Sequence, residues 1–291
     1  MDLVKLLKHL ENTDAVALAQ PTDRRSLLRG VGAKAAALTL PLLAGGMAGK
    51  VSAQTTTTPS VTTTLNYLLE LEYFEYNFFR TANSTGGLIP SGDQAGFTNI
   101  ENHEKEHITY LSNLVASLGG TAFLPNNYTG NPYCPAAYDF TAGGQFPIYT
   151  AGNYFLFLDL AQALQDLVVR AYIGALDNLT SNMSVTTSIL QLLSVEGRHA
   201  AHARLVRRYS GTAPEYPKPW VTNNISINYY PNTVFQPYYN GEDNVTQLGI
   251  DVTTLTGLAG TTISQTAATE SFDEPLDQTT VLNLISGFIL P

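Results

Sequence analysis

Two stretches of this chain combine acids and imidazoles at a helical spacing. "ENHEKEHITYL" (101–111) carries Glu104 and His107, and "SVEGRHAAH" (194–202) carries Glu196 and His199. In each, the acid and the imidazole stand three apart, so on a helix they share one face and can share a ligand. The histidines beyond residue 53, at 103, 107, 199 and 202, all fall in these two segments. Both pairs occupy stripe positions where leucine is expected. A buried carboxylate without a partner is costly by several kcal/mol, so two such pairs facing one centre demand a cation or a proton.

Four helical rods must position them. The spacing predicts a first helix over 65–82, with Leu65, Leu68, Glu72, Glu75 and Phe79 in its stripe. A second is predicted over 99–118, with Ile100, Glu104, His107, Leu111, Leu114 and Leu118. Thr98 and Glu101 read as a capping box at its start, and Gly119-Gly120 as its stop. The third covers 153–178 with Leu158, Gln162, Gln165, Val169, Tyr172 and Leu176. The fourth covers 185–209 with Val185, Ile189, Leu192, Glu196, His199, Ala203 and Val206. Arg204, Arg207 and Arg208 near its end complement the helix dipole, and Gly211 and Pro214 end it. Stripes alternating threes and fours are the seams of a packed bundle. Glu72 to Glu104 spans 32 residues and Gln165 to Glu196 spans 31, so the chain reads as two related helical hairpins. The 34 residues from 119 to 152 between them are long for a loop. Their length is explained if the second and third helices lie parallel and the chain must travel the length of the bundle.

The N-terminus carries a different signal. "DRRSLLRGVGAKAAALTLPLLAGGMAGKVSA" pairs Arg24 with Arg25, continues through a weakly apolar run, and ends on small residues. It reads as a twin-arginine export signal over 1–53, removed after Ala53. Lys34, Pro41 and several glycines make the run too polar for a stable membrane anchor. The expected location is periplasmic or secreted, in a bacterium, with the twin-arginine translocation machinery as partner during export. Residues 54–64 read as a linker, 65–212 as the bundle, and 213–291 as a Pro-, Asn- and Tyr-rich extension packed on it. The extension ends in a short helix over 276–290.

Composition narrows the rest. The 291 residues are 44% hydrophobic and 13% charged, with a formal net charge of -9. Removing 1–53 takes away 7 of 15 basic and 4 of 24 acidic residues, which leaves -12. Nucleic acid is therefore not an expected partner. Cys134 is the single cysteine, so neither a disulfide framework nor a thiolate cluster is expected.

The segments "LNYLLELEYFEYNFFRTA", "ENHEKEHITYL", "QALQDLVVRAYIGAL" and "SVEGRHAAHARL" resemble the ferritin-like di-iron carboxylate superfamily. They are most similar to its secreted bacterial branch, which also includes plant desiccation-related proteins. "SFDEPL" (271–276) resembles a recurring element of that branch, and the likeness covers residues 61–212. It implies an all-α, ferritin-like four-helix bundle with one long crossover. Carried over by resemblance, the metal ligands are Glu72, Glu104, His107, Glu196 and His199. The position where the superfamily has a third-helix Glu holds Gln165. Glu75 and Asp166 are the secondary candidates to replace its charge. The site then holds two ions asymmetrically, one ion, or none. Carboxylate with imidazole suits iron, or manganese as the alternative.

His103 and His202 read as polar residues at the seam's edge, and Tyr76, Tyr110 and Tyr172 as core aromatics. Arg170 and Arg198 are expected to pair with Asp166 or other seam acids. Two functions compete. One is an exported metal-binding protein with an O₂- or peroxide-linked redox or metal-handling role. The other is a non-catalytic stress- or desiccation-associated protein with a degenerate metal site. No catalytic residue or organic cofactor is indicated.

Overall fold

Ser60 starts the first helix earlier than the apolar stripe suggests. In a computed structural model, which describes residues 59–210, 218–224, 232–257 and 260–291, its side chain accepts the Thr63 N–H at 3.1 Å. This N-cap opens α1 (Val61–Ser84) inside the expected linker. The expected export signal, Gly211 and Pro214 lie outside the described residues.

The second helix, α2 (Ser91–Ser117), also begins early, after Pro90. The expected capping box does not exist. The Thr98 hydroxyl donates to the Gln94 carbonyl at 2.8 Å inside the helix. Glu101 instead accepts from Asn83 at 2.8 Å and pairs with Arg80 at 3.3 Å across the α1–α2 hairpin. The polar opening "SGDQAG" carries no apolar stripe, so periodicity could not reveal the first two turns. The stop is as expected: Gly119 adopts a φ of 76°, and its N–H donates to Ala116 while that of Gly120 donates to Val115, each at 3.0 Å.

The third helix, α3 (Tyr154–Ala175), runs into a 3₁₀ turn at Leu176–Asn178. The fourth, α4 (Met183–Tyr209), is capped by Asn182, which accepts the Val185 N–H at 3.2 Å. Pairs across the seams fix the directions. Asn83 meets Phe97 where Glu72 meets His107, so α1 and α2 are antiparallel. Phe78 meets Phe157 where Glu72 meets Tyr172, so α1 and α3 are antiparallel as well. Thus α2 and α3 run parallel, and the intervening crossover must travel the bundle's length. α3 packs on α4, and α2 on α4, which closes the bundle.

The crossover is strapped to α1. Asn77 donates to Pro132 O at 3.0 Å and accepts the Cys134 N–H at 2.6 Å. The chain's end fastens the strap: Asp139 N–H donates to Phe288 O at 2.8 Å, and Leu290 N–H to Ala137 O at 2.9 Å.

Nineteen of the 22 residues of α3 are buried, a helix covered on all sides. The covering comes from α5 (Asn232–Tyr239) and α7 (Gln278–Ile285), both packed on α3. The extension also holds a short α6 (Gln265–Thr269) and a two-residue hairpin, β1 (Thr246–Gln247) with β2 (Ile250–Asp251). It is more regular than its composition implied. The expected terminal helix is shorter, ending at Ile285 with a 3₁₀ turn beyond it.

Arg170 fastens this cover. Its guanidinium donates to Tyr238 O at 2.6 Å, Asn240 O at 2.8 Å and Glu274 O at 2.8 Å, and pairs with Glu242 at 2.6 Å. The expected pairing of Arg170 with Asp166 is corrected: Asp166 is held by Arg204 through two hydrogen bonds, one at 3.0 Å, and accepts from Tyr239 at 2.7 Å. Arg207 pairs with Asp159 at 2.6 Å. These α4 arginines therefore neutralise buried acids of α3 rather than only complementing a dipole. Arg198 is exposed.

Gly174 permits the closest approach. A Cβ there would collide with the Leu276 carbonyl, whose carbon would lie at 2.8 Å. Gly174→Ala should therefore lower the Tm, despite the ~1 kcal/mol that alanine gains over glycine in a helix. Arg170→Ala, which leaves Glu242 buried and unpaired, should cost roughly 3–5 kcal/mol in a denaturant melt. Unchanged melts for both variants would show that the extension is not integral to the bundle.

Candidate metal centre

Three helices deliver acids and imidazoles to one buried point. Glu72 comes from α1, Glu104 and His107 from α2, and Glu196 and His199 from α4. Glu72, Glu104 and Glu196 are fully buried, and His107 and His199 are 7% and 4% exposed. One ligand atom from each of Glu72, Glu104, His107 and Glu196 lies within 4.8 Å of the others.

The carboxylates bridge the imidazoles. His107 Nδ1 stands 3.1 Å from Glu72 Oε2, 3.3 Å from Glu104 Oε2 and 3.0 Å from Glu196 Oε1. His199 Nδ1 stands 2.9 Å from Glu104 Oε1 and 3.2 Å from Glu196 Oε2. So Glu104 and Glu196 each turn one oxygen to each histidine. One imidazole N–H can serve only one acceptor, yet three carboxylates surround His107 Nδ1. Neither oxygen of Glu104, nor Oε1 of Glu196, receives a hydrogen bond of good geometry. Orphaned buried oxygens of this kind are rare in native interiors. Donor atoms about 3 Å apart are what an ion with bonds of about 2.0–2.2 Å requires of neighbouring ligands. The residues present therefore fit a metal.

Surrounding groups hold the ligands in place. The Tyr172 hydroxyl donates to Glu72 Oε1, and the Gln165 amide donates to Glu75 Oε1. Burial keeps the Tyr172 hydroxyl protonated and thus a donor. His103 Nδ1 lies 3.0 Å from His199 Nε2, with the rings nearly parallel at 13°. This contact fixes the His199 ring with Nδ1 inward. A surface cavity of about 340 Å³, lined by His103, Glu106, His107, Val195, Arg198 and His199, lies over the imidazoles.

The structure thus brings together Glu72, Glu104, His107, Glu196 and His199, with Gln165 and Glu75 against them. Asp166 is not among them, being bound to Arg204 and Tyr239. Tyr76 and Tyr172 are buried, whereas Tyr110 is 40% exposed and is not the core aromatic expected. His202 meets Phe97 edge to face at a ring separation of 5.4 Å. The roles of His103 and Tyr172 escaped the sequence reading. Their only signal was helical spacing beside the Glu-x-x-His pairs.

Two antiparallel hairpins joined by a long parallel crossover, with carboxylates and imidazoles in the shared seam, define a helical bundle built around a metal-type cluster. The family described as the ferritin-like domain matches residues 60–208, and the chain belongs to that family. Comparison with curated proteins gives no match.

Crowding perturbs several of the protons here. Burial raises Glu72 to about 8, against the opposing pull of His107. Burial alone would lower His199, but Glu104 and Glu196 outweigh it and raise it to about 10. His107 is raised likewise, chiefly by Glu72 against the effect of burial. Burial works to raise Glu104 too, yet His199 and His107 overcome it and hold it at about 2. In the metal-free protein the raised groups bind protons that the unfolded chain releases, so their stabilisation fades as pH rises. Glu72 begins to lose it above its ordinary 4.5, and His199 above its ordinary 6.5. The contribution of Glu104 is lost in the other direction, as pH falls from 4.5 towards 2. Metal-free protein should therefore show its highest Tm where these windows meet, near pH 4.5 by the linkage sign, and melt progressively lower up to pH 9. A Tm that climbs from pH 6 to 9 in chelator would overturn this account of the cluster.

Proposed function

We propose that this protein is an exported, secreted-branch member of its family that binds two divalent transition ions, iron or manganese, in an O₂- or peroxide-linked redox or metal-handling role. The observation that carries the reading is the bridging of His107 and His199 by both oxygens of Glu104 and of Glu196. Bound iron would supply one-electron chemistry towards O₂ or peroxide. The chain's own residues do the rest. Glu104 and Glu196 hold the two positions at a fixed separation, and Tyr172 fixes the orientation of Glu72. His103 keeps the His199 ring turned inward. The cavity beneath Arg198 and Glu106 admits a small molecule to the imidazole side. Among the described residues no helix is long and apolar enough to cross a membrane. The Arg24-Arg25 leader supports export as a folded, metal-loaded protein.

Binding must displace protons from Glu72 and both histidines, so affinity should rise with pH. Metal analysis after anaerobic Fe(II) loading should give about two equivalents per chain, as a di-metal carboxylate bundle requires. His107→Ala and His199→Ala should each lower that number, and air should develop an iron–carboxylate absorption band in the wild type alone. No bound metal, with both variants unaltered, would instead favour the non-catalytic stress-associated reading. Lysine at positions 24 and 25 should retain the precursor inside the cell, and normal export of that variant would refute the leader's role.

A further inference from the structure

The two halves of the centre are unequal. The ion position beside His107 has Glu72 in addition to the shared Glu104 and Glu196. The position beside His199 has the shared pair, but the residue of the second hairpin that corresponds to Glu72 is Gln165. An amide contributes no charge, and three carboxylates leave two divalent ions with one uncompensated positive charge.

Glu75 lies against Gln165, the residue at which that charge is missing. It stands three residues after Glu72, on the same face of α1, and is 1% exposed. Its Oε1 accepts from Gln165, while its Oε2 has no partner. The charges that act on it most are those of Glu104, Glu196 and Glu72. Gln165 Oε1 is also without a partner. A fully buried carboxylate in the field of three others is unfavourable unless a cation joins them.

We infer that α1 supplies both terminal carboxylates of the centre, with Glu75 as a direct ligand of the ion beside His199 and Gln165 as the positioning residue that holds its other oxygen. This rests on the two-ion reading. Glu75 then completes four carboxylates and two neutral imidazoles, which balance two divalent ions. Gln165 is not a lost ligand but a donor that aims the ligand brought from the facing helix.

The test is Co(II) titration of the metal-free protein, read by visible absorption and calorimetry. Wild type should bind two ions. Glu75→Gln, which keeps shape and burial, should retain the ion beside His107 and weaken the second by about 100-fold or more, beyond what loss of an outer hydrogen-bonding partner usually costs. The exchanged double variant Glu75→Gln/Gln165→Glu preserves the amide–carboxylate contact in reverse and should recover the second ion. If Glu75→Gln does not fold, the double variant decides: recovery of two ions supports the assignment, and a folded protein with one overturns it. Two ions bound by Glu75→Gln within tenfold of wild-type affinity would also overturn it, while leaving the two-ion reading intact. No ion bound by wild type would refute the two-ion reading itself.

Discussion

Four buried carboxylates converge in one helical seam with only two imidazoles to meet them, and the rest of the molecule is arranged around that imbalance. Each isolated charge in such an interior carries an effective penalty of several kcal/mol. A bundle of this kind can keep the acids close only if its helices cannot drift apart. The aromatic layer beside the centre supplies that rigidity. Phe79, Phe97 and Phe157, from three helices, meet with ring separations of 5.1 to 6.4 Å, and His202 of the fourth packs on Phe97. This layer also closes one end of the seam to water, which strengthens every electrostatic contact inside it.

α3 carries the structural consequence. One side of it faces the centre through Gln165 and Tyr172, and other sides face α4 and the extension. Asp159, Asp166 and Arg170 are therefore buried although they lie off the seam. Each has its own counter-charge: Arg207, Arg204 and Glu242. Tyr239 ties these pairs together, donating to Asp166 and accepting from Gln162, which in turn accepts from Arg207 at 2.9 Å. The extension is thus an outer wall of the bundle, without which the outer face of α3 would expose ionic groups prepared for a dry environment.

Much of this was legible in the sequence, for physical reasons that differ by element. The stripes of α3 and α4 gave their spans closely because apolar periodicity persists to the helix ends. The start of α2 was missed because its first two turns are polar, and Thr98 with Glu101 imitates a cap while lying mid-helix. The convergence of Glu104, His107, Glu196 and His199 could be expected from acids and imidazoles three apart in a seam, and the place of Glu72 beside them from the family resemblance. The partner of Asp166 could not, because Arg170 lies one turn away on the same helix, and only the course of the extension, which claims Arg170, leaves Asp166 to Arg204 of the neighbouring helix. Tyr110 was misplaced because the stripe marks a helix's buried side without marking where its edge meets solvent. The link between His103 and His199 depends on a ring orientation that spacing does not encode.

The two sides of the centre are built for different tasks. On the α1–α3 side, Tyr172 and Gln165 are fully enclosed donors, and each fixes one carboxylate by one oxygen. On the α2–α4 side, both imidazoles border a cavity flanked by Arg198 and Glu106, and His103 reaches the surface while touching His199. That cavity opens on the imidazoles and not on the acids of α1. One side of the cluster is enclosed and the other borders a cavity, a division that follows from α3 being covered on its outside.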